Sequence, residues 1–153
     1  MPIKIEHRVG IPVPADLLWE ILSDIPRWPE WTTIYTHAKG VVGFGEKLKL
    51  TLALPNQKPV HIEPRVFDWA PNEAIHWRLP LYGGLGSAIR YLEIEALGEN
   101  SCIFSNGEIL SGFAVRWVSP AMRRSMRAGF TALGEAMEQR ALALWRERSG
   151  GAT

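Results

Sequence analysis

The sequence predicts an α+β fold: a curved antiparallel sheet of seven strands wrapped around one long C-terminal helix, with two short helices between strands 1 and 2. Three observations carry this. Apolar and polar residues alternate with period two in seven stretches. Short turns built on Pro, Gly and Asn join those stretches, which favours an antiparallel meander. Near residue 119 the apolar period changes from two to that of an amphipathic helix.

The elements follow in order. IKIEHRVGI, residues 3 to 11, alternates and forms the first strand. Pro14 suits an early helical position, and Ala15 to Ser23 make a short helix with Leu18, Ile21 and Leu22 as its apolar stripe and Trp19 beside it. Pro26 and Pro29 end regular helix, so RWPEW is a broken or second short helix. TIYTHAKGV is the next strand. In KLKLTLAL, Leu48, Leu50, Leu52 and Leu54 point one way while Lys47, Lys49 and Thr51 point the other. PVHIEPRVFDW, AIHWRLPL, SAIRYLEIEAL and CIFSNGEILSGF complete the seven, separated by APNE, the flexible YGGLG and GENS. From about Ser119 to about Arg148, Met122, Met126, Phe130, Leu133, Met137, Ala141 and Leu144 recur every three or four residues, with Ser119-Pro120 as N-cap and first helical residue. No repeat or linker divides the chain. One domain over 1–148 with a flexible tail at 149–153 is expected.

Composition excludes several function classes. A chain of 153 residues, 46% hydrophobic and 22% charged, is an ordinary globular one. A net charge of +1 gives no argument for nucleic acid, an acidic substrate or a charged membrane. Seven tryptophans require a large apolar area to be buried or to line a pocket. Cys102 is the only cysteine, so neither an internal disulfide nor a cysteine-based zinc cluster can form. The start, MPIKIEHRVG, alternates and lacks a long apolar run, so no signal peptide is expected, and no stretch approaches the roughly 20 apolar residues of a membrane span. The expected location is the cytoplasm. If the sheet curls around the helix and the short helices plug one end, the interior is wide enough to leave a cavity.

This order of elements, with several local motifs, resembles the START-like superfamily, also called SRPBCC, the polyketide cyclase/dehydrase and lipid-transport group with the helix-grip fold. The stretch from Ile11 to Trp19, IPVPADLLW, is similar to the family's opening, where a strand ends at a small residue plus Pro and a helix begins with an aliphatic-Trp pair. Asp24, Trp28 and Trp31 match its D-x-x-x-W-x-x-W segment, although Thr32-Thr33 stand where the family often has Asn-Pro. Trp77 matches a middle-strand Trp, and NGEILSG, from Asn106 to Gly112, resembles the last-strand pattern with Asn106 in place of His and Leu110 in place of Phe. ALGEAMEQRA fits the family's closing helix. The resemblance covers nearly the whole chain. It implies the fold and a ligand cavity, but its members bind lipids, hormones, polyketides or proteins and some catalyse, so it does not choose among functions.

Motifs for chemistry are sparse. His7, His37, His61 and His76 are scattered over different strands without metal-ligand spacing, so no metal or cofactor is expected, and surface or structural roles are the default. No G-x-S-x-G elbow marks a serine nucleophile, and GGLG at 83–86 reads as a hairpin loop able to gate a cavity. Glu108 stands out because it shares a strand face with Phe104, Asn106, Leu110 and Gly112. On a cavity-facing side, burial raises its pKa unless an Arg or His pairs with it. Arg65, Arg78, Arg90 and Glu93 read first as exposed cross-strand charges, although one of the arginines could pair with Glu108 or bind an acidic ligand head.

The expected function is binding of an apolar small molecule, lipid, isoprenoid or polyketide-like, in a cavity between sheet and helix. Trp28 and Trp31 are expected at one end; Leu50, Leu52, Trp77, Leu92, Leu110, Met122, Met126 and Phe130 form the wall, and Asn106 and Glu108 supply polar contacts. One alternative is a polyketide cyclase or dehydratase with Glu108 as acid or base, aided by an Arg or Tyr91. Another is a protein-interaction module, which needs an exposed apolar patch and a filled interior. The expected partner is the hydrophobic ligand, with no nucleic acid and no integral membrane segment, and the protein is expected as a monomer or homodimer.

Overall fold

A computed structural model describes residues 2–150. The first strand, β1 (Ile3–Ile11), leads through Pro14 into helix α1 (Ala15–Ser23) and a 3₁₀ helix, Ile25–Glu30. Both short helices lie where the sequence puts them. Pro14 has φ −65°, suited to a helix start, and its carbonyl accepts the first helical amides from Leu17 and Leu18. Leu17, Leu18, Ile21 and Leu22 bury one face of α1. Asp24 does not cap the following turn with its side chain; the carboxylate instead pairs with Arg27 at 3.2 Å.

The remaining strands are β2 (Tyr35–Lys39), β3 (Lys49–Leu52), β4 (Val60–Ile62), β5 (Arg65–Ala70), β6 (Ala74–Leu81), β7 (Gly86–Gly98) and β8 (Ser101–Gly112). Eight strands thus replace the seven expected, in two sheets rather than one. The larger has the order β1-β8-β7-β6-β5 and the smaller β2-β3-β4, antiparallel throughout. The difference lies at Pro64, inside the stretch taken as one strand. Proline has no amide to donate to a ladder. The chain breaks there into β4 and β5, and the Pro64 carbonyl accepts from Leu48 at 2.9 Å. That bond, the Lys47–Arg65 bridge and the paired bonds of Val66 with Gly45 and Glu46 join the sheets along a short seam.

Helix α2 (Pro120–Gly150) packs across the concave face, as the helix-grip arrangement requires. The Met122 amide donates to Ser119 Oγ at 3.1 Å, the N-cap expected of Ser119-Pro120. The helix runs two residues past its expected end, through Ser149 and Gly150; residues 151–153 of the expected tail lie outside the described residues. Its buried side includes Met126, Phe130, Leu133, Met137 and Ala141, with Gly129 and Gly134 between them. The glycines permit close approach: a Cβ at Gly129 would meet Leu54 Cδ2 at 2.6 Å, and one at Gly134 would run into the His7 ring. Among the described residues no helix is long and apolar enough to cross a membrane.

Candidate functional site

Facing rows of the large sheet set the site. The inward positions of β6, β7 and β8 include Trp77, Arg90 and Glu108, which stand side by side across the strands, Trp77 opposite Arg90 and Arg90 opposite Glu108. Above them α2 presents Met122, Met126 and Phe130; Leu52 and Ile62 of the small sheet, with Leu54 and Val60, face them from the far side. These surfaces do not meet. They enclose a cavity of about 440 Å³, within the range of small-molecule sites. It opens where its lining is exposed, at Lys58, Val60, Tyr82, Trp117 and Ser119. Gln57 Nε2 donates to Ser125 Oγ at 3.2 Å and ties the β3–β4 connection to α2 beside that mouth.

The polar part of the wall is compact. Arg90 is 2% exposed. Its Nε donates to Tyr35 Oη at 3.1 Å, one terminal nitrogen donates to Gly107 O at 2.9 Å and Tyr91 O at 3.4 Å, and the other donates to Asn106 Oδ1 at 3.0 Å. The guanidinium lies 4.0 Å from the centre of the Phe130 ring. Four of the five N–H donors are therefore held by neutral protein groups, and no carboxylate of the described residues approaches within ion-pair distance. Buried charge of this kind is tolerated only when well hydrogen-bonded.

Glu108 is the complement. It lines the cavity and makes no hydrogen bond or close ion pair among the described residues. Part of its surface faces the cavity, yet protein closes around it, and burial pushes its carboxyl above the ordinary value while the nearby Arg90 charge opposes this. Tyr35 also lines the cavity, and burial raises its hydroxyl, again against Arg90. Because that oxygen accepts from Arg90, its proton is left without an acceptor among the described residues. An apolar chamber thus carries one carboxyl and one phenol free to bond to a guest.

Of the residues expected to form the site, the structure brings Leu52, Trp77, Glu108, Leu110, Met122, Met126 and Phe130 to the cavity wall. It does not bring Trp28, Trp31, Leu50, Leu92 or Asn106 there. Trp28 lies behind the wall, its ring 5.2 Å from Tyr35 and 6.0 Å from Trp77, its Nε1 donating to Leu22 O at 3.0 Å. Trp31 sits on a different, shallow groove with Glu20, Arg140 and Arg148, because the 3₁₀ turn ends between the two indoles. Leu50 and Leu92 are sealed in the core. Asn106 is consumed by bracing: besides Arg90, it holds the Phe130 carbonyl of α2 at 3.0 Å through Nδ2.

Tyr91 cannot assist Glu108. It lies on the opposite face of the sheet, over Gly107, and its hydroxyl donates to Glu6. The histidines are likewise remote: His76 sits between Asp68 and Glu93, His61 beside Glu63, His7 against Gly134, and His37 is exposed. No cluster suited to a metal ion occurs among the described residues. Arg65 and Arg78 are exposed as expected, but Arg90 is not. Its position carried the signal, since Arg90 alternates in step with Ala88, Leu92 and Ile94, all buried. Tyr35 had no such signal in the sequence.

Comparisons with known proteins agree with this architecture. The family described as polyketide cyclase / dehydrase and lipid transport matches residues 2–138. No curated protein matches by sequence. Among solved structures, a START superfamily protein from Mycobacterium smegmatis is similar with TM-score 0.74 at 17% identity, over 92% of this chain and 98% of the other. The Zhui aromatase/cyclase from a Streptomyces species gives 0.71 at 18%, over 97% and 96%. A Thalictrum flavum norcoclaurine synthase mutant, in complex with a transition-state analogue, gives 0.70 at 15%, over 95% and 97%. At these identities the likeness is one of fold.

Proposed function

The chain belongs to the polyketide cyclase / dehydrase and lipid transport family, and from that premise we propose that it binds an apolar small molecule, a lipid, isoprenoid or polyketide-like compound, between the large sheet and α2. The observation that carries the reading is the cavity of about 440 Å³, apolar over most of its wall, with Glu108 as a carboxyl not spent on the fold and Tyr35 as a phenol whose oxygen is held by Arg90 but whose proton has no acceptor among the described residues. Its interior is not filled, which counts against a pure protein-interaction module. Leu52, Trp77, Leu110, Met122, Met126 and Phe130 would hold the apolar body of the guest. Glu108 and Tyr35 would orient a hydroxyl or carbonyl. No cofactor is invoked. The cytoplasmic location and the monomer-or-homodimer state expected from the sequence belong to the same proposal.

Thermal-shift and native mass spectrometry with farnesol, palmitate and a naphthol test this. A ligand at 100 times its Kd adds about 2.7 kcal/mol to apparent stability. Ala88→Leu, which fills the cavity from β7, should abolish the shift. No shift with any probe, or an undiminished one in Ala88→Leu, would count against the proposal.

A second reading, a cyclase or dehydratase, draws on one observation: the Glu108 carboxyl faces the cavity without a hydrogen-bond partner among the described residues, and burial raises its pKa above the ordinary carboxyl value, the direction that suits an acid-base group. Glu108 would take a proton from carbon beside a carbonyl, and the Tyr35 hydroxyl would donate to the carbonyl oxygen. Binding is the first reading because Arg90 is already committed to protein acceptors and Glu108 bonds to neither Arg90 nor Tyr35. Turnover that survives Glu108→Gln would eliminate the acid-base role and leave binding intact.

A further inference from the structure

We infer that the end of the molecule around the cavity mouth is a docking surface for an anionic lipid bilayer. Three segments frame that end: residues 53–60, residues 81–86 and residues 112–131. Together they contain Lys58, Arg116, Arg123, Arg124 and Arg127, five of the 17 Lys and Arg, and none of the 16 Asp and Glu. The overall charge of +1 hides this segregation. None of the five forms an ion pair among the described residues. Elsewhere the exposed charges pair readily, as Arg148 does with Glu20 at 2.6 Å and Arg140 with Glu30 at 3.3 Å.

The same end exposes aromatic surface. Phe113 is 57% exposed, Tyr82 55% and Trp117 46%. They form one cluster, Trp117 lying 5.3 Å from Tyr82 and 5.7 Å from Phe113, edge-on to both. The Arg116 guanidinium sits 4.1 Å from the Phe113 ring, and Arg123 lines the groove beside it. Contiguous exposed apolar surface rimmed by charge marks an interaction site. Tryptophan and tyrosine favour the headgroup level of a bilayer, and clustered Lys and Arg are drawn to anionic lipid.

A membrane fits better than an acidic protein for two reasons. The rings stand exposed on two short turns, Tyr82–Gly84 and Phe113–Trp117, a placement suited to aromatic side chains entering the headgroup level. Tyr82 and Trp117 also form the cavity rim, so an apolar guest leaving a bilayer at this contact would enter the cavity without crossing water. The inference rests on surface charge and aromatic exposure, and holds whatever the cavity accepts.

Flotation with vesicles tests it, comparing phosphatidylcholine alone with an equal mixture of phosphatidylcholine and phosphatidylglycerol, at low and high salt. Binding is expected to the mixed vesicles only, and to be released by salt. Arg124→Gln combined with Arg127→Gln, both exposed and outside the cavity wall, should weaken partitioning at least about tenfold, since each basic group near such a surface contributes roughly fivefold. Phe113→Ala should weaken it with an unchanged melting temperature. Equal binding to neutral vesicles, no binding to either, or indifference to the arginine changes would overturn the inference. So would binding to polyglutamate without binding to mixed vesicles, which would mark the surface as one for an acidic protein.

Discussion

Tyr35 and Arg90 belong to different sheets, and the 3.1 Å hydrogen bond from Arg90 Nε to Tyr35 Oη joins those sheets across the core, in addition to the backbone seam at Pro64. The bond both steadies the cavity and satisfies a buried charge. Tyr35→Phe leaves that N–H buried without an acceptor. The expected cost is about 1–3 kcal/mol. Urea denaturation should show a lower midpoint with an unchanged slope; a midpoint equal to wild type would mean that the sheets do not depend on this bond.

Glu108 should make stability fall as pH rises. Its folded pKa lies above the unfolded one, with burial as the main cause. Between the two values the folded protein holds a proton that the unfolded chain has released, so raising the pH favours unfolding. The effect begins near the unfolded value of about 4.3 and saturates above the folded one. Glu108→Gln is therefore expected to melt higher than wild type at neutral pH, with the gap closing below about pH 4. A gap independent of pH would show that the carboxyl is not titrating against burial.

The two tryptophans of DIPRWPEW should differ sharply. Trp28 is fully buried and bonded to Leu22 O, whereas Trp31 is half-buried on an outer groove. Trp28→Phe frees a buried carbonyl and should cost about 1–3 kcal/mol. Trp31→Phe should cost less than about 1 kcal/mol, as for most partly exposed changes. Equal losses in chemical denaturation would contradict the placement.

Cys102 should be silent toward thiol reagents in the native state. Its Sγ lies 3.3 Å from Val13 O and 3.8 Å from Ile11 O, and burial pushes the thiol up to about 11. Thiolate is the reactive form. At pH 8, a colorimetric disulfide reagent should react only as fast as the protein opens, and immediately in denaturant. Stoichiometric labelling of native protein within seconds would refute this.

Gly134→Ala sets two effects against each other. Alanine in a helix interior gains about 1 kcal/mol over glycine, whereas overpacking a tight contact costs about 1–3 kcal/mol. The new Cβ would collide with the His7 ring on β1. A net loss of stability is expected, while Ala128→Gly on the exposed side should lose only the propensity difference. A stabilised Gly134→Ala would show that β1 yields freely to the helix.

The large elements were legible because their periods are clean: β1 and α1 have the expected bounds, and the stripe of α2 is the buried one. The split at Pro64 was visible in principle, but alternation continued on both sides and masked it. Within the site, side-chain parity identified Glu108 and Leu110 as inward and could have identified Arg90. Parity does not distinguish a residue lining a void from one sealed behind it, which is why Leu50, Leu92 and Asn106 were grouped with true wall residues. Tyr35 lies on a short strand whose register shifts between Tyr35 and His37, so alternation there carries no information. The difference between Trp28 and Trp31 depends on a 3₁₀ turn closing between them, a geometry that two prolines suggest but do not determine.

Helix α2 divides its labour along its length. Its early turns, with Met122, Met126 and Phe130, touch the void; its later turns, with Met137 and Ala141, are core, and Arg148 anchors the far end to α1. Evolution, or an engineer, can therefore change the guest at Met122 and Met126 while Gly129 and Phe130, which seat the helix on Leu54 and Arg90, and the later turns keep the scaffold. Apolar exchanges confined to those two methionines would search ligand preference apart from the scaffold, a modularity that the continuity of the helix conceals.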